Sequence, residues 1–210
     1  MAQRSQAISR RKNAVESFGN AAACIGPIEH GLSLFALTRG QFSMIDVINY
    51  LVSELGQAGV SVWTWVVAAY EVEVMTALID NGQVTEGVLI VDYSASKRSP
   101  DIVQSWRAKF GPGSVKSCKN HAKIARIWND EYRFLARGSM NLNFNPRFEN
   151  FDLTEGGADY DLILREENEL KVLPIEHTSE EASANSKVNL AFEQSTLEIF
   201  GQDLEKSWEI

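Results

Sequence analysis

Short apolar runs alternate with stretches of helical periodicity through the first half of the chain. Runs bounded by Gly or polar residues predict three strands, at 32–38, 60–67 and 87–92. Apolar residues three and four apart predict three helices between and after them, at 44–55, 71–80 and 100–110. Ser43 and Asp46 predict a capping box at the start of the first helix, and Gly56 predicts its end. This alternation is typical of βαβ units in an α/β fold.

The pattern changes after residue 114. Two strand-like runs, 115–128 and 132–136, flank Asn129 and Asp130, a pair that favours a tight turn. We therefore expect a hairpin here, and a further strand at 159–164. With the first half, this predicts a mixed, mostly parallel sheet flanked by helices.

The same pattern divides the chain into three segments. We expect an N-terminal arm at 1–31 with at most one helix, then a single α/β domain at 32–175. Residues 176–210 are predicted to form a polar linker and an acidic amphipathic C-terminal helix. Apolar stripes of this kind dock on a core more often than they bind a partner, so we expect the tail to lie outside any active site.

Composition excludes several classes of protein. The chain has 210 residues, of which 44% are hydrophobic and 23% charged, as in an ordinary globular protein. It has no apolar run near the ~18 residues of a membrane-spanning helix, and no apolar region follows the basic N-terminus as in a secretory signal. Two cysteines cannot form a disulfide framework. We expect a cytoplasmic protein that does not bind a membrane.

Charge is distributed unevenly along the chain, whose formal net charge is −8. Residues 97–147 carry 11 Lys and Arg against 3 Asp and Glu, whereas residues 148–210 carry 4 against 16. A basic band in an acidic chain fits a local site for an anion such as a phosphate. It also fits a solvated surface on which cations cluster by chance, and charge alone does not choose between them.

One stretch of the basic band groups chemically useful side chains. His121 and Lys123 are two residues apart, which would place them on the same face of one strand. If the hairpin forms, its return strand brings Gly138, Ser139 and Asn141 back beside them. An imidazole, an ammonium, a hydroxyl and a carboxamide supply a nucleophile, a cation and neutral donors for a phosphodiester. Glycine at 138 would allow a close backbone approach.

These residues resemble the HxK…GSxN signature of the phospholipase D superfamily, and the match extends to Glu149 and Asn150. The resemblance covers about residues 32–165 and implies a phospholipase D-like α/β fold. It implies that His121 is the nucleophile, that Lys123, Asn141 and Ser139 hold the phosphoryl oxygens, and that Glu149 orients the imidazole. It implies neither a cofactor nor a metal.

The chain departs from this signature at one position. The family has an acidic residue five positions after the lysine, where this chain has Trp128, and the first acid after it is Asp130 in the turn. Either Asp130 takes that role after a longer hairpin, or the role is empty. The chain also holds one copy of a motif whose chemistry needs two histidines. An active protein is therefore expected to be a homodimer, with His121 of both chains in one shared site.

The sequence thus predicts a metal-independent nuclease that forms a phosphohistidine and acts on nucleic acid, DNA rather than RNA, because the basic band favours a polyanion. One alternative is an inactive nucleic-acid-binding or assembly protein with this fold. Another is an enzyme for a lipid or other small phosphodiester.

Weaker candidates lie elsewhere in the sequence. His30 and His177 are expected to be exposed bystanders. Pairing Cys118 with His121, or Cys24 with His30, matches no standard zinc spacing. Four aromatic residues are expected in the core: Trp63, Trp65, Trp106 and Phe110.

Overall fold

The computed structural model describes residues 11–15, 20–65, 69–92, 100–142 and 146–174. These residues form eight strands: β1 (Arg11–Val15), β2 (Ser33–Thr38), β3 (Ala58–Thr64), β4 (Val84–Asp92), β5 (Val115–Cys118), β6 (Ile124–Trp128), β7 (Arg133–Gly138) and β8 (Glu149–Glu155). They also form five α-helices: α1 (Ala21–Ile25), α2 (Met44–Leu55), α3 (Ala69–Asp80), α4 (Pro100–Phe110) and α5 (Gly157–Glu169). A single 3₁₀ turn at Pro112–Ser114 follows α4.

All eight strands belong to one sheet in the order β1-β2-β8-β7-β6-β3-β4-β5. The pairs β1–β2, β3–β4 and β4–β5 are parallel. The pairs β2–β8, β8–β7, β7–β6 and β6–β3 are antiparallel. The predicted α/β class with a mixed, helix-flanked sheet is confirmed. The expectation of a mostly parallel sheet is wrong, because three consecutive antiparallel strands separate β2 from β3.

The elements of the first half lie close to their predicted positions. The Ser43 backbone N–H donates to Asp46 Oδ2 (2.7 Å), and so does the Ser43 hydroxyl (2.9 Å), which fixes the start of α2. Gly56 ends α2 with a φ of 77°, a value that glycine adopts without strain. The α2 face buried in the core comprises Met44, Ile45, Val47, Ile48, Leu51 and Val52.

The second half differs from its prediction in three places. The run at 115–128 is two strands, β5 and β6, separated by five residues. Residues 159–164 lie inside α5 and form no strand, so that expectation is wrong. Strand β8 was not predicted at all, although its buried Phe151 and Leu153 alternate with less buried neighbours. Gly156 and Gly157, both with positive φ, separate β8 from α5.

A buried ion pair attaches α5 to the middle of the sheet. Arg126 of β6 donates to Glu167 of α5 through Nε (2.9 Å) and Nη2, and both side chains are at most 4% exposed. The second Glu167 oxygen accepts from Ser61 Oγ (2.5 Å) and Trp63 Nε1 (2.8 Å). Tyr160 accepts from Arg126 Nη1 (2.9 Å). Both charges are thus hydrogen-bonded on several sides, as a buried pair requires.

The ends of the chain are described in part. Residues 11–15 and 21–25, within the expected N-terminal arm, form β1 beside β2 and the short helix α1. The described residues up to Leu173 belong to one compact unit. The predicted linker and C-terminal helix at 176–210 lie outside the described residues. Within the described part of the chain, no helix is long and apolar enough to cross a membrane.

His30 is exposed, as expected, but it is not a bystander. Its Nδ1 lies 2.8 Å from a Glu155 oxygen, and its ring stacks on Tyr132 with 4.5 Å between centroids. Glu131 lies 3.6 Å from its Nε2. The hydrogen bond to Glu155 raises the His30 pKa above its ordinary 6.5.

Stability should therefore depend on pH through His30. The folded protein binds the His30 proton more tightly than the unfolded chain, so this contact stabilises the fold fully below about pH 6.5 and its contribution is lost as pH rises through the folded pKa. We expect the difference in Tm between the wild type and His30→Gln to shrink as pH rises. A difference that stays constant or grows between about pH 5 and 9 would contradict this assignment.

Candidate active site at one edge of the sheet

Strand directions bring the motif residues to a single edge of the sheet. From the pairings, β2, β3, β4, β5 and β7 end at this edge, whereas β6 and β8 begin there. Lys123 immediately precedes β6, Ser139 immediately follows β7 and Glu149 begins β8. We call this the carboxyl edge, and it holds every site residue that the sequence predicts.

His121 and Lys123 lie in a loop, which corrects the expectation that they share one strand. Residues 119–123 leave the sheet between β5 and β6. Asn120 holds this loop through three hydrogen bonds. Its backbone N–H donates to Asp92 Oδ2 (3.2 Å), its Nδ2 donates to the Thr64 carbonyl (3.3 Å), and its Oδ1 accepts from the Ala122 N–H (2.8 Å). The loop is therefore fixed to the ends of β3 and β4.

The His121 imidazole lies between an ammonium and an indole. Lys123 Nζ is 3.0 Å from His121 Nδ1 and 3.2 Å from Nε2, and it also donates to the His121 carbonyl (2.7 Å). A neutral imidazole has one acceptor nitrogen, so the ammonium donates to only one of the two at a time. The Trp65 ring centroid is 5.4 Å from that of His121, at 52°. His121 remains exposed.

Lys123 has an environment that eases loss of its proton. Burial lowers its pKa below the usual 10.5, and the nearby Glu149 carboxylate opposes this with a smaller effect. An ammonium that is already partly desolvated gains more from an arriving phosphate than one fully in water.

Gly138 allows β7 and β8 to approach closely beside this loop. A Cβ at 138 would lie 2.1 Å from the Asn150 carbonyl oxygen and 2.7 Å from Phe151 Cα. Backbone atoms of a central strand cannot move aside cheaply. The Gly138 N–H donates to the Lys123 carbonyl (3.3 Å), so the same residue joins the GSxN segment to the His121 loop.

Gly138→Ala should destabilise the fold by about 2 kcal/mol or more, because the added methyl forces β7 and β8 apart. Urea unfolding measures the loss. Gly113→Ala is the matched control, since a Cβ there meets nothing within 4 Å and should leave stability nearly unchanged. Equal stability of the two variants would contradict the close approach.

Ser139 is held by β8. Its hydroxyl donates to Glu149 Oε2 and accepts from the Asn150 N–H (3.0 Å). Its backbone N–H donates to the Asn150 carbonyl (3.0 Å). Glu149 is 8% exposed, so its charge is largely removed from water. Hydrogen bonds thus join Gly138 and Ser139 to Glu149 and Asn150 as one unit.

Asn141 lies where the motif meets helix α2. The Met44 N–H donates to the Asn141 carbonyl (3.2 Å), and the Ile45 N–H donates to the Leu142 carbonyl (3.3 Å). The Asn141 Oδ1 atom is buried and has no hydrogen-bond partner among the described residues. A buried oxygen without a hydrogen bond lowers the stability of the fold unless a ligand or a water molecule donates to it.

Trp128 and Asp130, where the motif departs from the family signature, lie away from this site. Trp128 ends β6 at the opposite edge of the sheet, with its indole covering Gly59 and its ring 4.7 Å from the Arg126 guanidinium. Asp130 is exposed in the turn beyond it, and β6 alone puts about 14 Å between that turn and the site. That Asp130 takes the family's acidic role, or that this role is empty, stays a prediction.

The basic band largely serves internal contacts. Among the described residues, four of its cations pair with carboxylates: Lys109 with Asp80, Arg126 with Glu167, Arg133 with Asp161, and Arg137 with Asp159. Arg107 and Lys116 donate to backbone carbonyls. The band is not a uniformly basic face. Two cations of the band, Lys123 and Arg147, lie at the carboxyl edge. Arg39, which is outside the band in sequence, lies there too.

Sequence reasoning missed two residues of the site. Trp65 was expected in the core, yet it is 38% exposed and packs against His121. The sequence predicted a strand as far as residue 67, whereas β3 ends at Thr64 and leaves Trp65 beyond it. Asn120 is 5% exposed and carried no signal, because its partners are distant in sequence. Within the described ranges, no group of three His, Cys, Asp or Glu side chains could hold a metal ion.

Comparisons with known proteins find similarity in three-dimensional structure but not in sequence. No protein-family model and no curated protein matches the chain. Among solved structures, the chain is similar to NucT from Helicobacter pylori, with TM-score 0.45 and 12% identity over 67% of this chain and 99% of that one. It is also similar to TrmBL2, an archaeal chromatin protein described as showing a novel mode of DNA binding. There the TM-score is 0.40 and the identity 12%, over 66% of this chain and 54% of that one.

Proposed function

We propose that this protein is a phosphodiesterase of the phospholipase D type that cleaves nucleic acid, with DNA as the preferred substrate. The observation that supports it is the juxtaposition at the carboxyl edge. The His121–Lys123 pair lies in the loop before β6, and the Ser139–Glu149 pair lies where the neighbouring strands β7 and β8 end and begin, with the Gly138 N–H joining the two segments. With the Asn141 carboxamide they bring a nucleophile, a cation and a neutral donor to one phosphate, and the Ser139 hydroxyl adds a second donor when it turns from Glu149 to the phosphate.

In the proposed reaction, a His121 nitrogen attacks phosphorus and forms a P–N bond while the P–O bond to the leaving strand breaks. Lys123 and Asn141, with Ser139 beside them, hold the phosphoryl oxygens as negative charge grows on them. A second imidazole gives a proton to the leaving oxygen. Water then hydrolyses the P–N bond and restores His121. Glu149, which the resemblance implied would orient the His121 imidazole, accepts from the Ser139 hydroxyl instead, so the role proposed for it here is to position Ser139.

Because the sequence holds one copy of the motif, we propose that the second imidazole comes from another copy of the chain. His30 is paired with Glu155 at the edge of the sheet opposite the site, and His177 lies outside the described residues. We therefore propose a homodimer in which two copies of His121 serve one shared site.

Mixing the proteins tests the shared site. Excess His121→Ala protein should form mixed dimers with one histidine each and so suppress wild-type cleavage. His30→Ala, whose site is intact, should not suppress it when added in the same amount. Cleavage that is unaffected by excess His121→Ala would mean that each chain acts alone.

The deciding experiment for the activity is incubation of the full chain with plasmid DNA in EDTA. Nicking in the presence of the chelator supports the proposed metal-independent chemistry. Tight, salt-sensitive binding without nicking supports the second candidate, an inactive nucleic-acid-binding protein. The observation that favours this candidate is Trp128, which stands where the family has an acidic residue and packs its indole over Gly59.

A further inference from the structure

Two exposed aromatic rings lie at the carboxyl edge, on either side of the proposed site. Trp65 follows β3 and is 38% exposed, and Phe148 precedes β8 and is 68% exposed. Single exposed hydrophobic side chains are common on protein surfaces, but these two aromatic rings flank a set of polar functional groups, and this position makes the pair a candidate binding feature.

The order of the strands sets the distance between these rings. Strands β6 and β7 lie between β3 and β8, so the ends of β3 and β8 are three strand spacings apart, or about 14 Å. Lys123 immediately precedes β6 and Ser139 immediately follows β7, the two intervening strands. A phosphate bound at Lys123 would therefore have one aromatic ring on each side of it.

Cations accompany both rings. The Arg39 guanidinium lies over Phe148, 5.7 Å from the ring centroid. The exposed Arg147 immediately precedes Phe148 in sequence. Lys123 lies next to the imidazole on which Trp65 packs. The edge thus alternates ring, cation and ring, which is the arrangement that binds bases by stacking and phosphates by charge.

We propose that the carboxyl edge binds an unpaired nucleic-acid strand, with bases on either side of the scissile phosphate stacked on Trp65 and on Phe148. The proposal deepens the proposed function, since it names the form of the substrate. Bases stacked in a duplex are 3.4 Å apart along each strand and cannot reach two rings that extend from strand ends about 14 Å apart. A strand whose bases are splayed apart can reach both, and ring faces accept any base.

Fluorescence anisotropy of the full chain carrying His121→Ala, which should bind but not cleave, tests this with a labelled 20-nucleotide oligodeoxythymidine and a duplex of equal length, and every variant below is made in this background. We expect the single strand to bind at least tenfold more tightly than the duplex. Trp65→Leu and Phe148→Leu should each weaken single-strand binding by roughly fivefold to hundredfold, as loss of one stacked base does. Trp65→Phe keeps a ring and should restore most of the affinity.

Leu162→Ala is the control, because Leu162 is similarly exposed (42%) but lies on α5. It should bind as the wild type does, and thermal melts should show all variants folded. Equal affinity for duplex and single strand, or both ring variants within twofold of wild type, would overturn the proposal.

Binding is measured apart from cleavage, with the probe checked intact on a gel. A protein that cleaves nothing but binds the single strand through both rings leaves this proposal standing and removes the nuclease. If the ring variants, with His121 restored, cleave duplex DNA at the wild-type rate, the proposed nuclease activity stands and the proposed single-strand binding by the two rings is overturned.

Discussion

His121→Ala should abolish DNA cleavage, lowering the rate by roughly 10³-fold or more, as loss of a catalytic nucleophile does. Without the imidazole no P–N bond can form, whereas Lys123 and Asn141 remain to hold the phosphate. Binding of DNA should therefore change little. The comparison of nicking rate with binding affinity for the same variant separates chemistry from substrate binding.

Two further variants bracket this result. His30→Ala removes an exposed imidazole at the opposite edge and should cleave as fast as the wild type. Lys123→Ala should weaken both binding and cleavage, because the ammonium contacts the phosphate before and during reaction. An acid-labile, base-stable phosphohistidine should be trapped on the wild type by rapid quenching. A His121→Ala protein that cleaves at the wild-type rate would end the nucleophile assignment.

Glu167→Ala should destabilise the fold by about 3–5 kcal/mol, because it leaves the buried Arg126 guanidinium without its anion. The substitution also removes the acceptor of Ser61 and Trp63. For a domain of this size, we expect a fall in Tm of about 6–20 °C in calorimetry. Glu167→Gln keeps an acceptor and should lose less.

Glu166→Ala is the matched control for this prediction. Glu166 is adjacent in α5, and its side chain is 49% exposed and 3.7 Å from Arg165. Surface pairs of this kind contribute little, so the Tm should move by no more than about 2 °C. If Glu167→Ala is as mild as Glu166→Ala, the buried pair does not secure α5 to the sheet.

Local signals predicted the elements whose ends are determined by nearby residues. The capping residues Ser43 and Asp46 and the terminator Gly56 lie within one helix, so their pattern fixes α2 without knowledge of the fold. The same is true of β4, a short apolar run covered on both faces. These predictions needed no partner strand.

Elements determined by distant partners were not predictable in the same way. Strand β8 alternates apolar and polar residues only around Phe151 and Leu153, and its insertion between β2 and β7 depends on residues distant in sequence. The apolar run at 162–164 resembles a strand, yet it belongs to α5, whose position is fixed by Glu167 bonding across to Arg126. Tertiary contacts outweighed short-range propensity in both cases.

The motif predicted which side chains to consider, but not how they are held. The order of His121, Lys123, Ser139 and Glu149 in the chain pointed to one site, and the sheet places all four at one edge. The loop anchored by Asn120 depends on the ends of β3 and β4, which sequence spacing does not relate to His121. The catalytic roles of these residues stay predictions.

The hydrogen bonds from Met44 and Ile45 to the Asn141 and Leu142 carbonyls link the site to the core. The first N–H groups of helix α2 bond to the backbone of the segment that carries the Asn141 carboxamide. The face of α2 that packs on the core is buried. The site therefore cannot loosen without uncapping a helix that the core holds in place. On slow heating, activity should persist until the domain itself melts, and inactivation and unfolding would then share one midpoint.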